Sequence, residues 1–139
     1  MHNFQSPQES LLFDSKLNAI STMWHEVPDS RHIRLVFNKA FELLLKNKAE
    51  NWIIQTENVE QITSDDLMWI SRIVVPHAVA QGLKRVALII DQDKPNYYVA
   101  SLKTALIRKN LAVEEFESEY QSKAWLDDEI LNQYDMMLS

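Results

Sequence analysis

The sequence predicts an α/β domain: a mixed sheet of about five strands with an N-terminal hairpin, covered by about four helices. Three observations point there. Short apolar runs of strand length recur, the clearest being Val86-Ala87-Leu88-Ile89-Ile90. Between them lie apolar stripes at three- and four-residue steps, as in Ile33, Val36, Phe37, Ala40, Phe41 and Leu44. Two strand-like runs also stand close together near the N-terminus, before the alternation begins. With 139 residues the chain fits one core.

Residues 1–10 are polar around Pro7 and read as a flexible lead-in. Leu11 to Asp14 is a short strand, Ser15-Lys16 a turn, and Leu17 to Trp24 a second strand. So short a connection makes the pair antiparallel. Pro28-Asp29-Ser30 opens a helix that runs to about Lys48, and Trp52-Ile53-Ile54 is a strand buried on both faces.

Thr63-Ser64-Asp65-Asp66 starts the next helix, with a hydroxyl to cap it and two carboxylates at the positive end of its dipole. Its inward stripe reads Leu67, Ile70, Ile73, Val74 and Ala78. Pro76 removes one internal bond, so a kink or break is expected. Gly82 is placed as a left-handed C-cap, with Leu83 supplying the accompanying apolar contact.

Val86 to Ile90 is expected to be a central, parallel strand. A helix follows from Pro95-Asn96, with Val99, Leu102, Ala105 and Leu106 inward and Asn110 as its cap. Val113 to Phe116 alternates apolar and acidic residues, as an edge strand does. Ser118 and Gln121 form a capping-box pattern for a last helix carrying Ala124-Trp125-Leu126. The expected domain spans 11–127. Residues 128–139, with Ile130, Leu131, Tyr134 and Met137, are an acidic C-terminal tail available for packing.

Composition narrows the chemistry. There is no cysteine, which removes thiolate catalysis, disulfides and cysteine metal sites and suits a reducing, cytoplasmic setting. A single glycine, Gly82, is too few for a phosphate-cradling loop, a dinucleotide fingerprint or a nucleophile elbow. Lys plus Arg number 14 against 20 Asp plus Glu, a net charge of −6, which disfavours binding to nucleic-acid phosphates. The basic pairs Lys84-Arg85 and Arg108-Lys109 read as helix-end cations. No apolar run is long enough for a membrane span, and Met1 to Glu9 lacks the pattern of a secretory signal.

Three groups of residues remain as candidate sites. Thr63 and Ser64, with Asp65 and Asp66, form a helix start that reads either as a phosphoacceptor or ligand contact, or as a plain N-cap. Glu57, Asn58, Asp65, Asp66, Asp91 and Asp93 are expected on loops at the carboxyl ends of parallel strands, the usual ligand crevice. Of these, Glu57, Asp91 and Asp93 are the weak candidates for holding a hard cation, although no ligand spacing supports them. Met68, Trp69, Val75 and Val79 extend beyond the inward stripe, which suggests a second apolar contact, a ligand pocket or a homodimer surface, unless the first helix or the C-terminal tail packs over them. His2, His25, His32 and His77 have no zinc spacing. No cofactor is expected.

The order of elements, with certain residues inside it, resembles the STAS-like family related to bacterial anti-sigma-factor antagonists, and within it short uncharacterised members. The likeness rests on Trp52, on Ile62-Thr63-Ser64-Asp65-Asp66 with Trp69, on the run Pro76 to Val86, and on Phe116-Glu117-Ser118 with Ala124-Trp125-Leu126. It implies a non-enzymatic regulatory or binding module that works by protein–protein contact. In the regulatory members a serine opening the helix after the third strand is phosphorylated. Ser64 falls near that place, but those members carry Asp-Ser with a glycine shortly after, which this chain lacks. Two other readings stand beside this one. One is a carrier for a small apolar or lipid-like ligand held between the sheet and the kinked helix. The other is a metal-dependent enzyme using the acidic rim.

Overall fold

The computed structural model describes residues 4–93, 97–108 and 110–127. Six strands form one sheet in sequential order: β1 (Phe4–Gln5), β2 (Glu9–Asp14), β3 (Ala19–Trp24), β4 (Asn51–Gln55), β5 (Arg85–Ile89) and β6 (Ala112–Phe116). The first three strands pair antiparallel and the last four pair parallel. The expected mixed α/β class with its N-terminal hairpin holds, with six strands rather than five.

The extra strand lies in the segment read as a lead-in. Phe4 and Gln5 pair with Leu11 and Ser10, and β2 begins at Glu9, two residues before the expected start. Ser6 turns the chain around Pro7. Its hydroxyl accepts from the Gln8 and Glu9 amides at 3.2 Å and donates to Glu9 Oε1 at 2.9 Å. These local bonds shape the turn, and Phe4 packs against the main core from the edge strand. At the hairpin, Asp14 Oδ1 accepts from the Lys16 and Leu17 amides at 3.0 and 3.2 Å. Asn18 then takes a left-handed φ of 50°, so β3 starts at Ala19 rather than Leu17.

Helix α1 (Ser30–Asn47) starts as expected. Asp29 caps it by accepting from the His32 amide, and Lys48 ends it at φ 52°. Its buried stripe is Ile33, Val36, Phe37, Ala40 and Leu44. Helix α4 (Tyr97–Leu106) buries Val99, Leu102, Ala105 and Leu106. It ends short of Asn110, because an isolated bridge pairs Arg108 with Leu111 and turns the chain into β6. Its expected start at Pro95-Asn96 lies outside the described residues. Helix α5 (Glu119–Leu126) has the expected Ser118 cap, accepting from the Gln121 amide at 3.2 Å. The tail 128–139 also lies outside the described residues.

The strands alternate between two apolar layers. Leu11, Ile20, Trp52, Ile54, Val86 and Leu88 face the larger core, with α1, α4 and the helix after β4. Ala19, Ile53, Ala87 and Ile89 face the other side, where Leu126 of α5 covers them. Strand β5 is interior and parallel, yet it sits one place from the edge strand β6; β3 and β4 form the middle. Residues 51–54 of β4 are buried without a break, as a two-sided strand requires.

Between β4 and β5 the helical path has three parts. Helix α2 (Ser64–Trp69) leads into a π-helical turn (Ile70–Val74) and on into α3 (Val75–Ala80). The expected kink at Pro76 is therefore a change of helical pitch upstream of it. Proline has no N–H to give to the Arg72 carbonyl, and the turn before it bonds with wider spacing, Val75 N–H reaching Ile70 O. A π turn takes one extra residue. Val74 and Val75 are both buried as a result, and Ile73, expected inward, is left about half exposed at 51%. After Gln81, Gly82 takes φ 114°. Its amide bonds Val79 O at 3.0 Å and the Leu83 amide bonds Ala78 O at 3.0 Å, the paired closure of a glycine-capped helix.

Candidate functional site

The start of α2 is assembled from two helices. Thr63, not Ser64, is the N-cap, its hydroxyl accepting from the Asp66 amide at 3.1 Å. Ser64 is consequently free of capping duty and exposed on the first turn, beside exposed Asp65. Asp66 points the other way and is fully buried. Its Oδ1 accepts from Arg34 Nε at 2.7 Å and from Ser30 Oγ at 2.8 Å, both on α1. Oδ2 is buried and accepts no hydrogen bond from the described residues. Burial opposes the charge on this carboxyl, but hydrogen bonds from Arg34, Ser30 and Thr63, with the Arg34 charge, outweigh it. Its pKa is held below the ordinary carboxylate value. Four residues read as one site thus divide: Ser64 and Asp65 face solvent, Thr63 caps, and Asp66 ties α2 to α1.

The four residues expected at an interface divide as well. Met68 is exposed at 46%. Trp69 is half-buried, its ring edge-on to Phe37 at 6.3 Å and beneath the Arg34 guanidinium at 5.0 Å. Val75 is buried in the core and Val79 packs against it. Helix α1 and the π turn account for the three that are not exposed. The outward residues of this segment are Met68, Arg72 and Ile73. Ile73 was expected inward, and the added residue of the π turn brings it out to solvent; Arg72 was not singled out in the sequence.

Two grooves flank this ridge. One, of about 520 Å³, runs between α2 and α4 and is lined by Leu67, Met68, Ser71 and Arg72 against Ala100, Ser101 and Thr104. The other, of about 180 Å³, runs between Phe41 on α1 and Trp69, Ile73 and His77.

The acidic rim is only partly assembled. Glu57, Asp91 and Asp93 line a crevice of about 470 Å³ at the carboxyl ends of β4, β5 and β6, with Glu117 and Glu119. The last two follow β6 and were not anticipated. Asp65 and Asp66 stand apart at α2, and Asn58 is used structurally, its amide donating to Trp24 O at 2.6 Å. Asp91 Oδ1 accepts from the Asp93 amide at 3.0 Å, a local turn. Among the described residues no three His, Asp or Glu side chains converge as a metal site.

His32, one of the four histidines without zinc spacing, lies on the first turn of α1. It meets the buried Glu9 across 3.1 Å from Nδ1 to Oε2, joining the first turn of α1 to the start of β2. No spacing rule could have found this pair, which is 23 residues apart. His77 contacts Ile73 O through Nδ1 at 2.6 Å and stays exposed. The basic pairs divide: Arg108 is a helix-end cation as expected, donating through Nη1 to Ala105 O at 3.4 Å and Ile107 O at 2.7 Å at the end of α4, and Lys84 and Arg85 bond elsewhere in the chain. Lys84 pairs with Glu50 at 3.2 Å, Arg85 donates to Asn51 Oδ1 at 2.9 Å, and Arg108 Nη2 donates to Ser71 Oγ at 2.9 Å. Lys109 lies outside the described residues. No helix among the described residues is long and apolar enough to cross a membrane.

Comparison with family models, curated proteins and solved structures returns no match to this chain.

Proposed function

We propose that this chain is a non-enzymatic, STAS-like regulatory or binding module of the cytoplasm that acts by protein–protein contact through the outer face of α2. One observation carries the reading: the segment Ser64–Ile73 is anchored inward by buried Asp66 and Ile70 while Met68 and Ile73 stay 46% and 51% exposed between two grooves. Apolar side chains held out on a rigid helix are what a protein partner covers. Ser64 supports the regulatory half of the reading. Its hydroxyl has no capping role, and a phosphate there would stand next to the contact surface and alter it by charge. The net charge of −6 favours a protein partner over nucleic acid.

The carrier reading has less support. The space between sheet and helix is filled by Trp52, Phe37, Ile70 and Leu88, all buried in one cluster. The enzyme reading keeps the crevice beside β4–β6 but only a solvated set of carboxylates in it. Native mass spectrometry of gently purified protein tests the choice. The module predicts masses made of protein chains alone. A retained lipid or a stoichiometric divalent ion contradicts it.

A further inference from the structure

Asp65, Met68 and Arg72 lie along one exposed face of the helix, with Met68 between the two charges. Successive steps of three and four residues place them on one side of the helix, and all three are exposed. Neither Asp65 nor Arg72 makes an ion pair among the described residues, whereas the buried neighbour Asp66 is paired with Arg34 through Oδ1. The pattern reads acid, apolar, base. Turned end for end, it complements itself.

We infer that this face pairs with a second copy of the chain about a two-fold axis passing near Met68. With the two helices antiparallel, Asp65 of one protomer meets the partner's Arg72, and the same contact repeats on the other side of the axis. An isologous interface requires such a self-complementary patch. The two Met68 side chains lie at the centre and enter the grooves beside α4. Each groove is lined on that side by Ala100, Ser101 and Thr104, whose small side chains let a neighbouring helix approach closely. An unrelated partner would not need opposite charges placed symmetrically about one apolar side chain. The inference rests on the protein-contact reading above and names the partner of that surface.

Charge reversal tests it. Molecular mass is followed by light scattering over a dilution series for the native protein, Asp65→Arg, Arg72→Asp and the double reversal. Both residues are exposed, so the variants keep the native circular dichroism. The native protein is expected to dimerise. Each single reversal should weaken the dimer at least about tenfold by placing like charges together twice, and the double reversal should restore it. A native protein that stays monomeric overturns the inference, as does a dimer indifferent to both single reversals or one the double reversal fails to rescue. A monomer that still captures a different protein at this face overturns self-pairing and leaves the module intact; a retained small ligand defeats the module itself.

Discussion

Arg34 on α1 binds Asp66 on α2 across 2.7 Å, and the carboxylate it holds is fully buried. The same guanidinium lies 5.0 Å from the centre of the Trp69 ring. One arginine thus fixes both the first turn of α2 and the aromatic at its end. The outward face of that helix, with Ser64, Asp65 and Met68, is presented from this anchor.

The anchor has a pH dependence. The folded carboxyl of Asp66 titrates below its unfolded value of about 3.9. Its contribution is therefore complete above about pH 4 and is lost as pH falls through the lowered folded value. Asp66→Asn should cost about 2 kcal/mol at pH 7, the scale of hydrogen bonds to a buried charge. The gap between native and variant proteins should close below pH 4. Urea melts from pH 7 down to the acid limb measure it, and a gap independent of pH would remove the ion pair from the account.

Gly82→Ala should destabilise the chain by about 1 kcal/mol, because alanine must adopt a positive φ there. A Cβ at Gly82 meets nothing within 4 Å, so the cost is in the backbone alone. Denaturant titration should show a lowered midpoint with an unchanged slope. An unchanged midpoint contradicts the cap.

The π turn makes a contrast between two isoleucines three residues apart. Ile70 is fully buried and Ile73 is about half exposed. Ile70→Ala should cost about 3 kcal/mol, by lost transfer energy and the cavity left behind. Ile73→Ala should cost under about 0.5 kcal/mol, as surface changes do. Similar costs at the two positions would mean an uninterrupted α-helix with both facing inward.

Much of the fold was legible because periodicity and capping are local. The α1 stripe, the Asp29 start, the Thr63 helix start and the Gly82 end all follow from neighbouring residues. The π turn was not legible as such. Pro76 signals a disturbance in its own helix but not that an added residue upstream absorbs it, and so Ile73 was turned the wrong way. The site was readable in pieces only. Thr63 and Ser64 were found together, but the division of labour between them depends on which hydroxyl reaches the Asp66 amide. Asp66 looked like an exposed carboxylate because its partners, Ser30 and Arg34, lie 36 and 32 residues away. The Glu9–His32 pair was missed for the same reason.

The central claim is that the outer face of α2 is where this chain meets protein, and a photo-crosslinking amino acid placed at Met68 or at Tyr120 tests it most directly. Tyr120 on α5 is 82% exposed and lies outside the proposed surface, so it controls for exposure alone. In cells that naturally make the protein, the account predicts a discrete crosslinked protein adduct from position 68, a second copy of the chain among its components, and none from position 120. Silence at position 68, or equal labelling from both positions, would contradict it.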